Sequence, residues 1–223
     1  MTDTGATTTS SDSSLDSSPD GENDVAVTGP TPLGGRAMAL LLVVLGAVGF
    51  AASFALAWEK YLKLLDPDRT ASCSINLFVD CGAAMSSWQG ALLGFPNPYL
   101  GVAAFPVVIT TGVVLLVGAR LPRWYWMSLL VGTVLGQALV FFLMYTSFHV
   151  IVALCPYCMV VWTIMWPLLW YQLVRGVQSG DLPVGAGLRN VMVGNRHIIL
   201  IIGYVAAVAW LMLSVGGDLV ASF

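Results

Sequence analysis

Residues 151–174 read IVALCPYCMVVWTIMWPLLWYQLV, twenty-four residues without one charged side chain. A helix needs about 20 predominantly apolar residues to cross a bilayer core, so this stretch is long enough to span a membrane. Working outward, four further uncharged apolar runs appear: Ala37–Trp58, Tyr99–Ala119, Trp124–Phe148 and His197–Val215. One Asp, Lys or Arg at mid-span would cost about 2.5–3.5 kcal/mol, and none of the five runs carries one. Arg120-Leu-Pro-Arg123 and the stretch from Arg175 to Arg196 mark where the chain leaves the bilayer, and Trp58, Trp124 and Trp126 stand near span ends, where aromatic belts form. Short loops between the second, third and fourth runs imply antiparallel neighbours. The expected fold is an all-α integral membrane protein, a four-helix transmembrane bundle plus a fifth transmembrane helix.

Composition agrees. Hydrophobic residues make up 57% of the 223 and charged residues only 9%, against about 25% charged in a soluble domain. Residues 1–35 hold six acids and no base, with seven Thr and six Ser, and few large apolar side chains. Such a segment cannot bury enough surface to offset its ordering entropy and is expected to be a disordered, acidic, Ser/Thr-rich cytoplasmic tail. It lacks the basic start and short apolar core of a signal peptide. Residues 36–175 form the expected catalytic bundle with an outer loop at 59–98, and 176–223 a cytoplasmic loop and the fifth span. No basic patch exists to grip nucleic acid, which excludes that class of partner.

Positive residues set the orientation. With the N-terminus in the cytoplasm, Arg36, Arg120, Arg123, Arg175, Arg189 and Arg196 lie inside, and only Lys60, Lys63 and Arg69 lie outside. That topology places Cys73 and Cys81, in the loop Glu59–Pro98, on the outer side. Cys155 and Cys158, at the start of the fourth span, join them there. All four thiols then share the oxidising side of the membrane.

Cys155-Pro156-Tyr157-Cys158 is a Cys-x-x-Cys opening a helix, with proline well placed in the first turn. Unpaired backbone N–H groups at a helix start favour a thiolate. Cys158 lies about 4.5 Å deeper along the axis, towards the lipid. The motif also fits a structural disulfide or half of a zinc site, and Cys73 with Cys81 also fits a plain loop staple. The spacing of the two pairs is poor for zinc, and no metal is expected. Two dithiol pairs on one face suggest an electron relay, in which a mobile pair meets a fixed one by thiol–disulfide exchange. A relay inside a membrane must end on a non-thiol acceptor, for which a lipid-soluble quinone is the natural candidate.

In these features the chain resembles the vitamin K epoxide reductase family in its bacterial form, over roughly residues 38–175. Four elements in one order carry the resemblance: Cys73 with Cys81, then Ser86-Ser87-Trp88-Gln89-Gly90, then Asn97, then Cys155-Pro-Tyr-Cys158. It implies that Cys155 and Cys158 are the active-site pair, with Cys158 attacking the quinone, and that Cys73 and Cys81 shuttle electrons from a thioredoxin-fold partner. Which loop thiol meets Cys155 stays open. The resemblance further implies quinone contacts from Ser87 and Asn97; by residue chemistry alone, the first also suits a helix cap and the second a turn before Pro98. Trp162 stands where animal members have a tyrosine, and could pack on a quinone ring or simply fill the span.

The resemblance thus points to a bacterial plasma (inner) membrane oxidoreductase that re-oxidises a separate, extracytoplasmic DsbA-like protein and reduces a quinone of the menaquinone, ubiquinone or phylloquinone type. Quinone or epoxide reduction as the main task uses the same thiols, and a membrane subunit with structural disulfides is the non-catalytic alternative. His149, near Cys155, is either a proton carrier or an ordinary interfacial histidine. Asp80 is expected at the surface, and Glu59 and Lys60 at the outer interface, where lysine can snorkel.

Overall fold

The computed structural model describes residues 34–74, 80–151 and 153–221, so the acidic tail lies outside the described residues but for its last two. Among these, the structure is helical, without strands. The helices are α1 (Gly35–Leu65), α2 (Cys81–Ser86), α3 (Pro98–Leu116), α4 (Arg123–Thr146), α5 (Pro156–Gln178), α6 (Ala186–Gly194) and α7 (Arg196–Ala221). A 3-10 turn, Trp88–Ala91, joins α2 to the approach to α3, and a π-turn, Ser147–Ile151, continues α4. Four helices are long and apolar enough to cross a membrane: α1, α3, α4 with its π-turn, and α5. A fifth span is counted if α6 and α7 as far as Trp210, bent by 76° at their junction, act as one. The protein is a multi-pass membrane protein.

The bundle is built on α1, which packs along α3 and also against α5, while α4 packs against α5. In lipid, helices have little hydrophobic reason to associate, and small residues that allow close backbone approach take over. Gly112 shows this: a Cβ there would lie 2.8 Å from the Ala39 carbonyl oxygen. Around this seam, Leu42, Phe105, Val108, Ile164, Met165 and Leu168 form the buried core. Large apolar residues such as Phe54, Val107, Leu135, Ile201 and Val205 point outward instead. Exposed apolar surface of that extent suits contact with lipid.

At the end of the bundle away from the cysteines, the Arg175 guanidinium lies 3.4 Å from the centre of the Trp126 ring and 3.2 Å from the Asp181 carboxylate. Arg123 reaches the same carboxylate at 3.8 Å, tying the start of α4 to the end of α5. Deeper in the bundle, Thr133 and Gln172 exchange hydrogen bonds, the Gln172 amide donating at 3.0 Å. Thr133 and Gln172 thus partner each other inside the bundle, where the apolar surroundings require it.

The α1–α3 seam is testable by a paired substitution. Gly112→Val forces a branched side chain against backbone and is expected to destabilise the protein by about 1–3 kcal/mol. Gly132→Val, where a Cβ meets nothing within 4 Å, is expected to leave stability nearly unchanged. Thermal unfolding of the two variants in the same detergent makes the comparison.

Candidate active site

The site begins with two helix starts that face each other. Cys155 is the N-cap of α5, in extended conformation, and Pro156 follows at the first helical position. Cys81 is the first residue of α2, a helix capped by Asp80, whose carboxylate accepts a hydrogen bond from the Gly82 N–H at 2.7 Å. Cys73 and Cys81 are joined as a disulfide, while Cys155 and Cys158 are free thiols. The Sγ atoms of Cys81 and Cys155, 74 residues apart in sequence, stand 3.3 Å from each other. This geometry answers the question that the sequence leaves open: Cys81, rather than Cys73, is the loop cysteine beside Cys155.

Leu56, Ala71 and Met85 enclose this sulfur cluster, with Tyr157 and Cys158 packed against it. Cys73, Cys81 and Cys155 are all buried, the most open of them at 6%. Cys155, just outside the spanning helix, has its thiol held below the ordinary range chiefly by a hydrogen bond with the Cys158 side chain. Burial opposes that effect, the backbone N–H groups of Cys158 and Tyr157 reinforce it, and the Asp80 charge opposes it weakly. The thiolate is the form that attacks a disulfide, so the balance favours Cys155 as an exchanging thiol.

Cys158 borders both the sulfur cluster and a second space. It lines a half-open cavity of about 520 Å³ between α1, α3, α4, α5 and the segment after α2. Ser87, Asn97 and Trp162 line the same cavity, so the three residues singled out in the sequence for quinone contact converge with Cys158. Ser87 also caps the 3-10 turn, its oxygen accepting from the Gly90 N–H at 3.3 Å. Asn97 is buried and bridges the same loop, its amide donating to the Gln89 carbonyl at 2.7 Å and its oxygen accepting from the Leu92 N–H at 3.1 Å. Both residues hold the loop's shape and stand at the cavity wall. The Trp162 ring lies 6.2 Å from that of Phe148. From Cys158 the cavity continues to Trp124, Tyr125 and Ser128 near the start of α4.

His149 is exposed, stacks on Tyr145 at 4.5 Å between ring centres, and is not among the residues that line the cavity. Its ordinary interfacial reading fits this placement. Three charged residues that the sequence leaves at the surface or interface prove to be structural parts of the site. Lys60 lines the cavity and donates to the Met85 carbonyl at 2.7 Å. Glu59 is only 7% exposed and accepts hydrogen bonds from Ser72. Asp80 caps α2 and accepts from the Ser74 hydroxyl. A charged pair directly after an apolar run and just before the cysteine loop was the available signal.

Two dithiol pairs at one end of a transmembrane bundle, one of them beside an apolar cavity, define a membrane oxidoreductase that works through thiols. A model of the Vitamin K epoxide reductase family matches residues 40–173, more than half of the chain, and the protein belongs to that family. The match runs from α1 to α5 and leaves α6 and α7 outside it. The family comprises membrane disulfide oxidoreductases and quinone reductases that generally use quinones and thioredoxin-like partners. No curated protein matches the chain.

Cross-linking tests the sulfur geometry directly. In a Cys73→Ala/Cys158→Ala variant, Cys81 and Cys155 are expected to join rapidly under mild oxidation. In Cys81→Ala/Cys158→Ala, where only Cys73 can meet Cys155, the reaction should be at least tenfold slower. Non-reducing gels and peptide mapping over time distinguish the two.

Proposed function

We propose that the protein re-oxidises an extracytoplasmic DsbA-like protein of thioredoxin fold and passes the electron pair to a quinone, so that exported proteins acquire disulfides. The observation that carries this reading is the division of the helix pair: Cys155 lies 3.3 Å from Cys81, while Cys158 lines the apolar cavity. The residues would be housed in a bacterial plasma membrane, with the N-terminus cytoplasmic and all four cysteines outside.

The electron balance is simple. The partner's two thiols reduce the Cys73–Cys81 disulfide, and the partner leaves oxidised. The Cys81 thiolate then attacks Cys155 of a Cys155–Cys158 disulfide, releasing Cys158 as a thiolate. Cys73 attacks Cys81 in turn, restoring the loop disulfide and freeing Cys155. That leaves Cys73–Cys81 oxidised and Cys155 and Cys158 reduced, the arrangement of this structure. Closure of the Cys155–Cys158 disulfide gives two electrons and two protons to the quinone, which leaves as hydroquinone.

The cavity suits such an acceptor. Small-molecule pockets run to about 300–1,000 Å³ and are mostly apolar with a few polar groups. Here Ser87 and Asn97 supply polar groups to the lining of the cavity that Cys158 also borders, and the Asn97 amide has a second hydrogen to offer a ring carbonyl. Trp162 can pack against the ring face. The extension towards Trp124 is long enough for part of an isoprenoid side chain, as in a menaquinone, ubiquinone or phylloquinone.

Removing either active-site thiol leaves no substitute nucleophile. Cys155→Ala and Cys158→Ala are each expected to lower quinone-dependent oxidation of a reduced thioredoxin-fold partner by orders of magnitude, measured as partner thiols lost against quinone absorbance. Normal activity in either variant would sink the proposal and return the cysteines to a structural role. Gly132 lines the cavity with open space over its Cα. Gly132→Phe should therefore raise the KM for a long-chain quinone about tenfold, as loss of roughly 60 Å² of apolar contact implies, and leave that for a tail-less quinone little changed.

A further inference from the structure

Cys73 is flanked by two serines, Ser72 and Ser74, and each is held by a different carboxylate. The Ser72 hydroxyl donates to one Glu59 oxygen, and its backbone N–H donates to the other at 3.3 Å. The Ser74 hydroxyl donates to Asp80, which also takes the Gly82 N–H. Glu59 belongs to α1, the central spanning helix, and Asp80 is the cap of the helix that begins with Cys81. The backbone around Cys73 is thereby tied on one side to the bundle and on the other to the cap beside its own disulfide partner.

We propose that Glu59 and Asp80 are positioning residues that latch the Ser72-Cys73-Ser74 segment beside Cys81, so that Cys73 can displace Cys155 from a Cys81–Cys155 disulfide. The proposal rests on the relay reading of the loop pair. While Cys73 and Cys81 are bonded, the disulfide itself holds the segment and the latches are redundant. They matter once that bond is broken and Cys81 is joined to Cys155. Cys73 is then a free thiol on a loop, and its effective concentration at Cys81 depends on what else restrains it. Three hydrogen bonds to two carboxylates, stronger than neutral ones, supply that restraint.

The step is an isomerisation. The Cys73 thiolate attacks the Cys81 Sγ, the Cys81–Cys155 bond breaks, and Cys155 departs as a thiolate; no net oxidation occurs. The same latches must open for the partner. Cys73 is 6% exposed and Cys81 fully buried, so a partner thiol reaches Cys73 only when the segment lifts. The latched state thus serves resolution on Cys81, and the lifted state serves exchange with the partner.

The test uses the full chain in membranes with Cys158→Ala, without quinone or partner. Three cysteines then share one disulfide, and acid quenching, alkylation and peptide mass spectrometry give the ratio of Cys73–Cys81 to Cys81–Cys155. Adding Ser72→Ala and Ser74→Ala together is expected to shift that ratio about tenfold or more towards Cys81–Cys155, the range that charge-assisted hydrogen bonds control. Glu59→Gln, which removes the charge and leaves a single carbonyl acceptor for the two Ser72 donors, is expected to give a partial shift in the same direction, smaller than that of the double-serine variant. Ser74→Ala alone leaves the Asp80 cap on Gly82 intact, and is expected to give a smaller shift in the same direction with an unchanged thermal midpoint. An unchanged ratio in the double-serine variant, or no Cys81–Cys155 disulfide in any variant, overturns the latch. Quinone reduction by the unsubstituted protein is assayed separately, so its absence alongside a shifted ratio would reject the relay and retain the latch.

Discussion

Thiol–disulfide exchange needs one sulfur to come within bonding reach of another, and the rest of this structure depends on the single approach of Cys81 to Cys155 at 3.3 Å. A loop and a spanning helix must be held to within fractions of an ångström for that approach to exist. The length of α1 makes it possible. Its 31 residues extend about 46 Å at 1.5 Å per residue, well beyond a hydrocarbon core of about 30 Å. The surplus forms a post standing out of the bundle, from which Glu59 holds Ser72 and Lys60 holds the Met85 carbonyl. Both ends of the cysteine loop are thus fastened to the helix around which the bundle is organised.

Helical geometry then separates two kinds of chemistry. Residues three apart on a helix lie about 60° apart around the axis, near enough to bond yet able to face different neighbours. Cys155, at the cap, packs in the sulfur cluster under the loop; Cys158, one turn on, looks into the apolar cavity. In the proposed relay, this division of the pair keeps the quinone on the Cys158 side and passes electrons through the Cys155–Cys158 bond. Burial of Cys73, Cys81 and Cys155 gives the same discrimination towards solvent thiols.

The spans were legible because a bilayer forbids charge along their length. The five uncharged runs fall on α1, α3, α4, α5 and α7, and the largest departure, α1 continuing past Trp58 to Leu65, lies where charge is allowed again. The short α6 was not legible; its nine residues, with Arg189 among them, read as loop. Identification of the four cysteines as candidates needed only their positions, but the pairing of Cys81 with Cys155 is tertiary and has no local signature. Glu59 illustrates the same boundary. By sequence it closes a span at the interface, and only the loop folded over it makes it buried and bonded to Ser72.

Ser87 and Asn97 show why two readings of one residue need not compete. Each presents a structural hydrogen bond to the loop backbone and stands at the wall of the cavity beside Cys158. A polar side chain tied on one side has lost its rotamer freedom before any ligand arrives, so it meets a ligand without a further entropy cost. Preorganised donors of this kind act most strongly where water is excluded and the surroundings are apolar. In a cavity whose exposed wall is mostly apolar, the proposed role of Ser87 and Asn97 towards a quinone carbonyl thus draws on the same bonds that cap the turn and hold the loop.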